Sequence, residues 1–162
     1  MSALNVSNIV NEWIEKKLNL SDFKEICRAV SDSQNIESLD IGMNDMGGDL
    51  SLKEVANMIT KTKSLTSLNL DKMNINMDNY EIIMDAIIEN KTIQKYYFSY
   101  NSNLKPIIAL KVFYGLDNLT YLEFVPYDKD NDNEKDKDFS LEEKKFLETF
   151  KKEKPNVTLR LK

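Results

Sequence analysis

The chain has 162 residues, 22 lysines and arginines against 27 aspartates and glutamates for a net charge of −5, and no histidine. That length suits one domain with a sizeable core, and the acidic balance argues against non-specific nucleic-acid binding, which needs cations to neutralise phosphates. Lack of histidine excludes Ser–His and Cys–His dyads and His-ligated metals, and the single cysteine excludes an intrachain disulfide or a multi-cysteine zinc site.

No apolar run reaches the roughly 18 residues that a membrane span needs, and residues 1–13 lack the basic-then-apolar order of a secretory signal. A cytoplasmic protein is expected. Residues 3–17 place Leu4, Ile9, Val10, Trp13 and Ile14, with Leu18 just beyond, at near-helical spacing. They predict an amphipathic helix within an N-terminal helical cap over residues 1–35, followed at Leu18-Asn19-Leu20 by a short strand or a turn. Ser21 or Asp22 then N-caps a second helix over about 23–33. Cys27 falls on its apolar side with Phe23, Ile26 and Val30 and reads as a core residue.

Central repeats follow over residues 36–127. Ile36-Glu37-Ser38-Leu39-Asp40-Ile41 has the spacing apolar-x-x-apolar-x-apolar, and Leu65-Thr66-Ser67-Leu68-Asn69-Leu70 repeats it 29 residues later. A third copy starts at Ile93 after 28 residues and a fourth at Leu119 after 26. Between them lie helical patterns. Ser51-Leu52-Lys53-Glu54 has the form of a capping box, opening a helix that buries Leu52, Val55, Ala56 and Ile59. Asp78 to Glu81 opens the next, with Tyr80, Ile83, Met84, Ile87 and Ile88 inward. A short helix starts near Pro106, well placed in a first turn, and stops by Gly115.

Residues 128–139 form a charged loop. Asp128-Lys129-Asp130-Asn131-Asp132 begins like a calcium loop, but Asn133 stands where the glycine belongs and Phe139 where the bidentate glutamate belongs, so a solvated loop is expected. Residues 140–162 close the single domain. Ser140-Leu141-Glu142-Glu143 is another capping box, opening a helix with Leu141, Phe146, Leu147 and Phe150 inward. Pro155 ends it, and Val157 to Leu161 reads as a last edge strand.

Side chains alternate along a strand, so the apolar positions of each unit meet that unit's helix. One unit cannot bury this face alone, and stacking predicts an α/β solenoid with a curved parallel sheet on the concave side and helices on the convex side. The chain resembles leucine-rich-repeat proteins of the ribonuclease-inhibitor-like class. The residues that carry the resemblance are Ile36/Leu39/Ile41/Asn44/Met46, Leu65/Leu68/Leu70/Ile75, Ile93/Tyr96/Phe98/Asn101 and Leu119/Leu122/Phe124. Met73 replaces the turn asparagine of the second unit, where Asn74 can serve after a one-residue shift, and the fourth unit has Tyr127 there. The resemblance implies protein–protein interaction, often through the concave face, and no catalysis. Its low-GC-like, Asn- and Lys-rich composition resembles effectors of intracellular bacteria, delivered into a host cytosol, or interaction modules of protists.

Strands in register place Asp40, Asn69, Tyr97 and Glu123 side by side, and Lys95 beside Tyr121. The candidate partner-binding residues are therefore Asp40, Asn69, Asp71, Lys95, Tyr97, Tyr100, Tyr121 and Glu123, with the tyrosines as anchors in a mostly acidic rim. The structural alternative packs some of these rings on the flanking loops or the C-terminal helix. No catalytic residue, cofactor or metal is expected: carboxylates such as Asp40 and Asp71 sit on an open face, and Gly47-Gly48 lacks the Lys-Ser/Thr of a phosphate loop. The reading is a monomeric, non-enzymatic module for a protein partner. The alternatives are self-assembly through the edge strand and regulation of a partner enzyme.

Overall fold

Strand and helix alternate along the chain because the apolar spacing switches between the period of a strand and that of a helix. The computed structural model describes residues 2–5, 20–44, 49–101, 104–126 and 139–161. In chain order these form β1 (Ser2–Asn5), α1 (Leu20–Asp32), β2 (Ile36–Asp40), α2 (Asp49–Lys61), β3 (Ser67–Asn69), α3 (Tyr80–Glu89), β4 (Lys95–Tyr97), α4 (Pro106–Tyr114), β5 (Tyr121–Phe124), α5 (Leu141–Glu153) and β6 (Thr158–Leu161). The strands make one sheet in the order β1-β2-β3-β4-β5-β6, and every neighbouring pair is parallel. Parallel neighbours need a crossover between them, and from β2 onward each crossover carries a helix.

The central apolar residue of each unit holds one register line, Leu39–Leu68–Tyr96–Leu122–Leu159. The first four are buried, and they pack in one core with Val55 and Ile59 of α2, Ile83 and Ile87 of α3, Phe113 of α4 and Phe150 of α5. Each such aliphatic side chain contributes about 1.5–3 kcal/mol of burial. The helices therefore cover one face of the sheet and leave the other open.

The later units solve a space problem with aromatics. Helix α4 has only 9 residues, and larger side chains fill the volume beside it. The rings of Tyr96 and Phe98 lie 5.2 and 5.4 Å from that of Phe113, and Phe124 stacks on Phe98 at 6.4 Å. At the end of α4, Tyr114 meets Phe146 and Phe150 edge-on at 5.5 and 5.4 Å and hydrogen-bonds Glu153, tying α5 to the stack.

Several local expectations are corrected. Residues Ser2–Asn5 form a strand on β2 where a helix was expected from residue 3; the rest of that segment lies outside the described residues. Helix α1 begins at Leu20, so Ser21 and Asp22 lie inside its first turn, where the Asp22 carboxylate favours the helix dipole. Helix α2 begins at Asp49, so Ser51 is not its cap but a buried residue, and Glu54 pairs with Lys24 of α1 at 3.2 Å. Asn79 caps α3 by position, but its Oδ1 accepts from the Asn76 N–H at 2.9 Å. Ile88 and Leu141 are exposed: Ile88 falls outside the arc of Ile83, Met84 and Ile87, and Leu141 is the first residue of α5.

The Pro106 start and the Ser140–Glu143 capping box stand as read, with Ser140 N–H donating to Glu143 at 2.7 Å and Glu143 N–H to Ser140 Oγ at 3.2 Å. The calcium-like stretch, Met46 and Tyr127 lie outside the described residues. Among the described residues no helix is long and apolar enough to cross a membrane.

Candidate binding face of the sheet

The open face is set by two lines of side chains. Asp40, Asn69, Tyr97, Glu123 and Arg160 share one register line, and Ser38, Ser67, Lys95, Tyr121 and Thr158 share the next. Five strands thus bring six of the eight candidate residues together. The remaining two, Asp71 and Tyr100, lie in the turns that follow β3 and β4.

Those turns have a repeated geometry. Met43, Lys72 and Tyr100 occupy equivalent positions and adopt φ of 64°, 54° and 58°, a left-handed conformation that non-glycine residues enter at a cost. Successive turns approach closely: a Cβ on Gly42 would lie 3.0 Å from Asn69 Oδ1 and 3.1 Å from the Asp71 carbonyl. Buried Asn44 holds its turn by donating to the carbonyls of Ile41 and Gly42 at 2.7 and 3.1 Å. In the second unit Met73 is buried in the corresponding place, and the Asn101 amide of the next unit donates to the Leu70 carbonyl at 3.0 Å in its stead.

A relay runs along the edge of the face. In the first two units the row residue serves its own turn: Asp40 accepts from the Gly42 N–H at 3.0 Å, and Asn69 from the Asp71 N–H at 2.8 Å. Tyr97 and Glu123 are too long to fold back two residues in this way. The side chain two places further on in the preceding unit takes over. The Asp71 carboxylate accepts from the Ser99 N–H, and Ser99 Oγ accepts from the Val125 N–H at 3.2 Å. Tyr97 and Glu123 are thereby relieved of turn duty.

Asp71 is consequently half-buried rather than a plain surface carboxylate. Desolvation by burial pushes its pKa from 3.8 up to about 6; the Ser99 N–H pulls the other way, and the charges of Glu123 and Asp40 push further up. Among the described residues neither Asp40 nor Asp71 has an ion pair. Glu123 has one, with Arg160 at 3.4 Å, and its carboxylate also accepts from the Tyr121 hydroxyl at 2.9 Å. Desolvation first, then the Glu123 contact, raises the Tyr121 pKa, while Arg160 lowers it.

The rings of Tyr97 and Tyr121 lie 5.2 Å apart at 45°, both half-buried, and Lys72 Nζ sits 5.1 Å from the Tyr100 ring centroid. The tyrosines on the strands pack on each other. Arg160 is absent from the expected set, although its place between Leu159 and Leu161 in the last apolar alternation gives it the same phase as Glu123. Cys27 is buried in α1, and burial first, then Glu54, pushes its thiol up to about 12, as fits a core residue.

Neither a protein-family model nor a curated protein sequence matches the chain. Among solved structures the chain is similar to one titled Leiomodin-1 Actin-Binding Site 2 (ABS2), with a TM-score of 0.66 at 17% identity, covering 93% of this chain and 78% of that one. At that identity the likeness shows the fold alone, a leucine-rich-repeat-like α/β arrangement built on a parallel sheet.

Proposed function

We propose that the protein is a non-catalytic binding module, a leucine-rich-repeat solenoid whose curved sheet offers its concave face to a protein partner. The observation that carries this reading is the relay of turn bonds, which leaves Tyr97 and Glu123 on the face with no local backbone to serve. Aromatic rings fixed on a rigid sheet lose little side-chain freedom on binding and bury a large area, so they suit the anchor role. The neighbour is titled as an actin-binding site, and that a fold of this kind serves protein binding there supports the same use here. Tyr97, Tyr100 and Tyr121 are the anchors, with Asp40, Asn69, Asp71, Lys95 and Glu123 around them.

The test is capture of a partner by wild type against a Tyr97→Ala/Tyr121→Ala variant, with circular dichroism to establish that both are folded. Actin cosedimentation is run beside it as the first named candidate. A partner held by wild type and lost by the folded variant supports the face. A partner held equally by both moves the site elsewhere and sinks the reading.

One observation favours a second reading. Among the described residues β6 pairs with β5 alone, and an edge strand offers backbone groups to another chain. Sedimentation across a concentration series separates the two: a species whose mass stays at one chain opposes self-assembly.

A further inference from the structure

We propose that the occupant of the open face is a protein segment carrying an arginine side chain, seated beside Asp40 and Asp71 and against the Tyr97–Tyr121 ring pair. This deepens the binding-module reading and rests on it. The charge on the face is unbalanced in a particular place. Arg160 answers Glu123 at one end of the row, whereas Asp40 and Asp71 have no cation of their own among the described residues. Of these residues Asp40 accepts from the Gly42 N–H alone, and Asp71 takes both of its hydrogen bonds, from the N–H and the hydroxyl, from the single residue Ser99. A carboxylate has two acceptor oxygens, so acceptor capacity remains on both.

Asp71 lies in the turn two residues beyond Asn69, and Asp40 and Glu123 lie close enough to act on its charge. A half-buried anion among other anions is a poor arrangement for the isolated chain, and an incoming cation corrects it. Guanidinium fits better than ammonium: its planar fork matches a carboxylate and its face stacks on aromatic rings, here the tyrosine pair 5.2 Å apart. An acidic or phosphorylated segment would meet like charge.

The experiment is a selection of displayed random 12-residue peptides, read by sequencing, against wild type, Asp40→Asn/Asp71→Asn and Tyr97→Ala. Asparagine retains the acceptor that each turn needs, as Asn69 does in the same row, so the double variant is expected to fold; its melting curve verifies this. The inference expects arginine to be enriched with wild type, and a selected peptide to bind the double variant on the order of tenfold more weakly. Peptides that need Tyr97 but carry no excess of arginine overturn this inference and leave the binding face standing. Peptides indifferent to both changes, or no peptides at all, count against both. Lysine enriched equally with arginine rejects the guanidinium assignment.

Discussion

Asn101 completes the turn of the unit before its own: its Oδ1 accepts the Met73 N–H at 3.0 Å and the Ile75 N–H at 3.2 Å, while its amide donates to the Leu70 carbonyl at 3.0 Å. Met73 has no amide with which to do this, so the second turn depends on the third unit. Asn101→Ala strands three buried backbone groups that have no route to water. Each costs roughly 1–3 kcal/mol, so a loss of about 3 kcal/mol or more is expected, a fall of about 6–12 °C in Tm. Asn44→Ala removes donation to two carbonyls of its own turn and is expected to cost less, about 2 kcal/mol. Thermal melts of the two variants check this. Equal costs would mean that the turns do not depend on one another.

Asp71 makes a pH-dependent prediction. Its folded pKa lies near 6, above the ordinary value of 3.8, so the folded state holds the proton more tightly than the unfolded chain. The stability gained from that proton is full below about 4 and lost as pH rises through 6. Asp71→Asn keeps the acceptor for Ser99 and abolishes the titration. The variant is therefore expected to melt above wild type at pH 7.5, with the difference shrinking toward pH 4. A difference that stays constant across that range would mean the carboxylate is solvated.

Tyr96 occupies the register line that Leu39, Leu68 and Leu122 occupy in the other units. It is fully buried, and its hydroxyl has no hydrogen-bond partner among the described residues. Tyr96→Phe keeps the ring contact with Phe113 and removes a desolvated polar atom. It is expected to gain about 1–2 kcal/mol, read as a rise in Tm. A fall instead would show that the hydroxyl is satisfied.

Much of this fold was legible in the sequence because its physics is periodic. Apolar-x-x-apolar-x-apolar fixes which side chains face the helices, and aligning its copies fixes the register although their intervals differ, so the row of Asp40, Asn69, Tyr97 and Glu123 follows from four aligned motifs. The Ser140 cap and Pro106 were readable because each acts within one helical turn. What the reading missed depends on contacts between units. Ser51 has a cap's sequence, yet helix α2 begins two residues earlier and Glu54 is taken up by Lys24. Asp71 looked like an ordinary surface carboxylate because its partner, Ser99, is 28 residues away. A signal for it existed: the short Asp40 and Asn69 give way to Tyr97 and Glu123, and a replacement acceptor must come from somewhere.

Arg160 and Tyr121 share one carboxylate, that of Glu123, at 3.4 Å and 2.9 Å. The ion pair is largely exposed on the arginine side, so Arg160→Ala is expected to change stability by no more than about 1 kcal/mol. Its effect on Tyr121 is expected to be specific. Arg160 opposes the upward shift that desolvation and Glu123 impose on that phenol, and removing it leaves the shift unopposed. Ultraviolet titration of phenolate, with Tyr121→Phe in both backgrounds to assign the signal, should show Tyr121 ionising at higher pH in Arg160→Ala. Glu123→Gln should move it the other way, by removing the anion that its hydroxyl faces. If neither variant moves the Tyr121 titration, the three side chains do not act as a unit on the face, and Tyr121 is held by its packing against Tyr97.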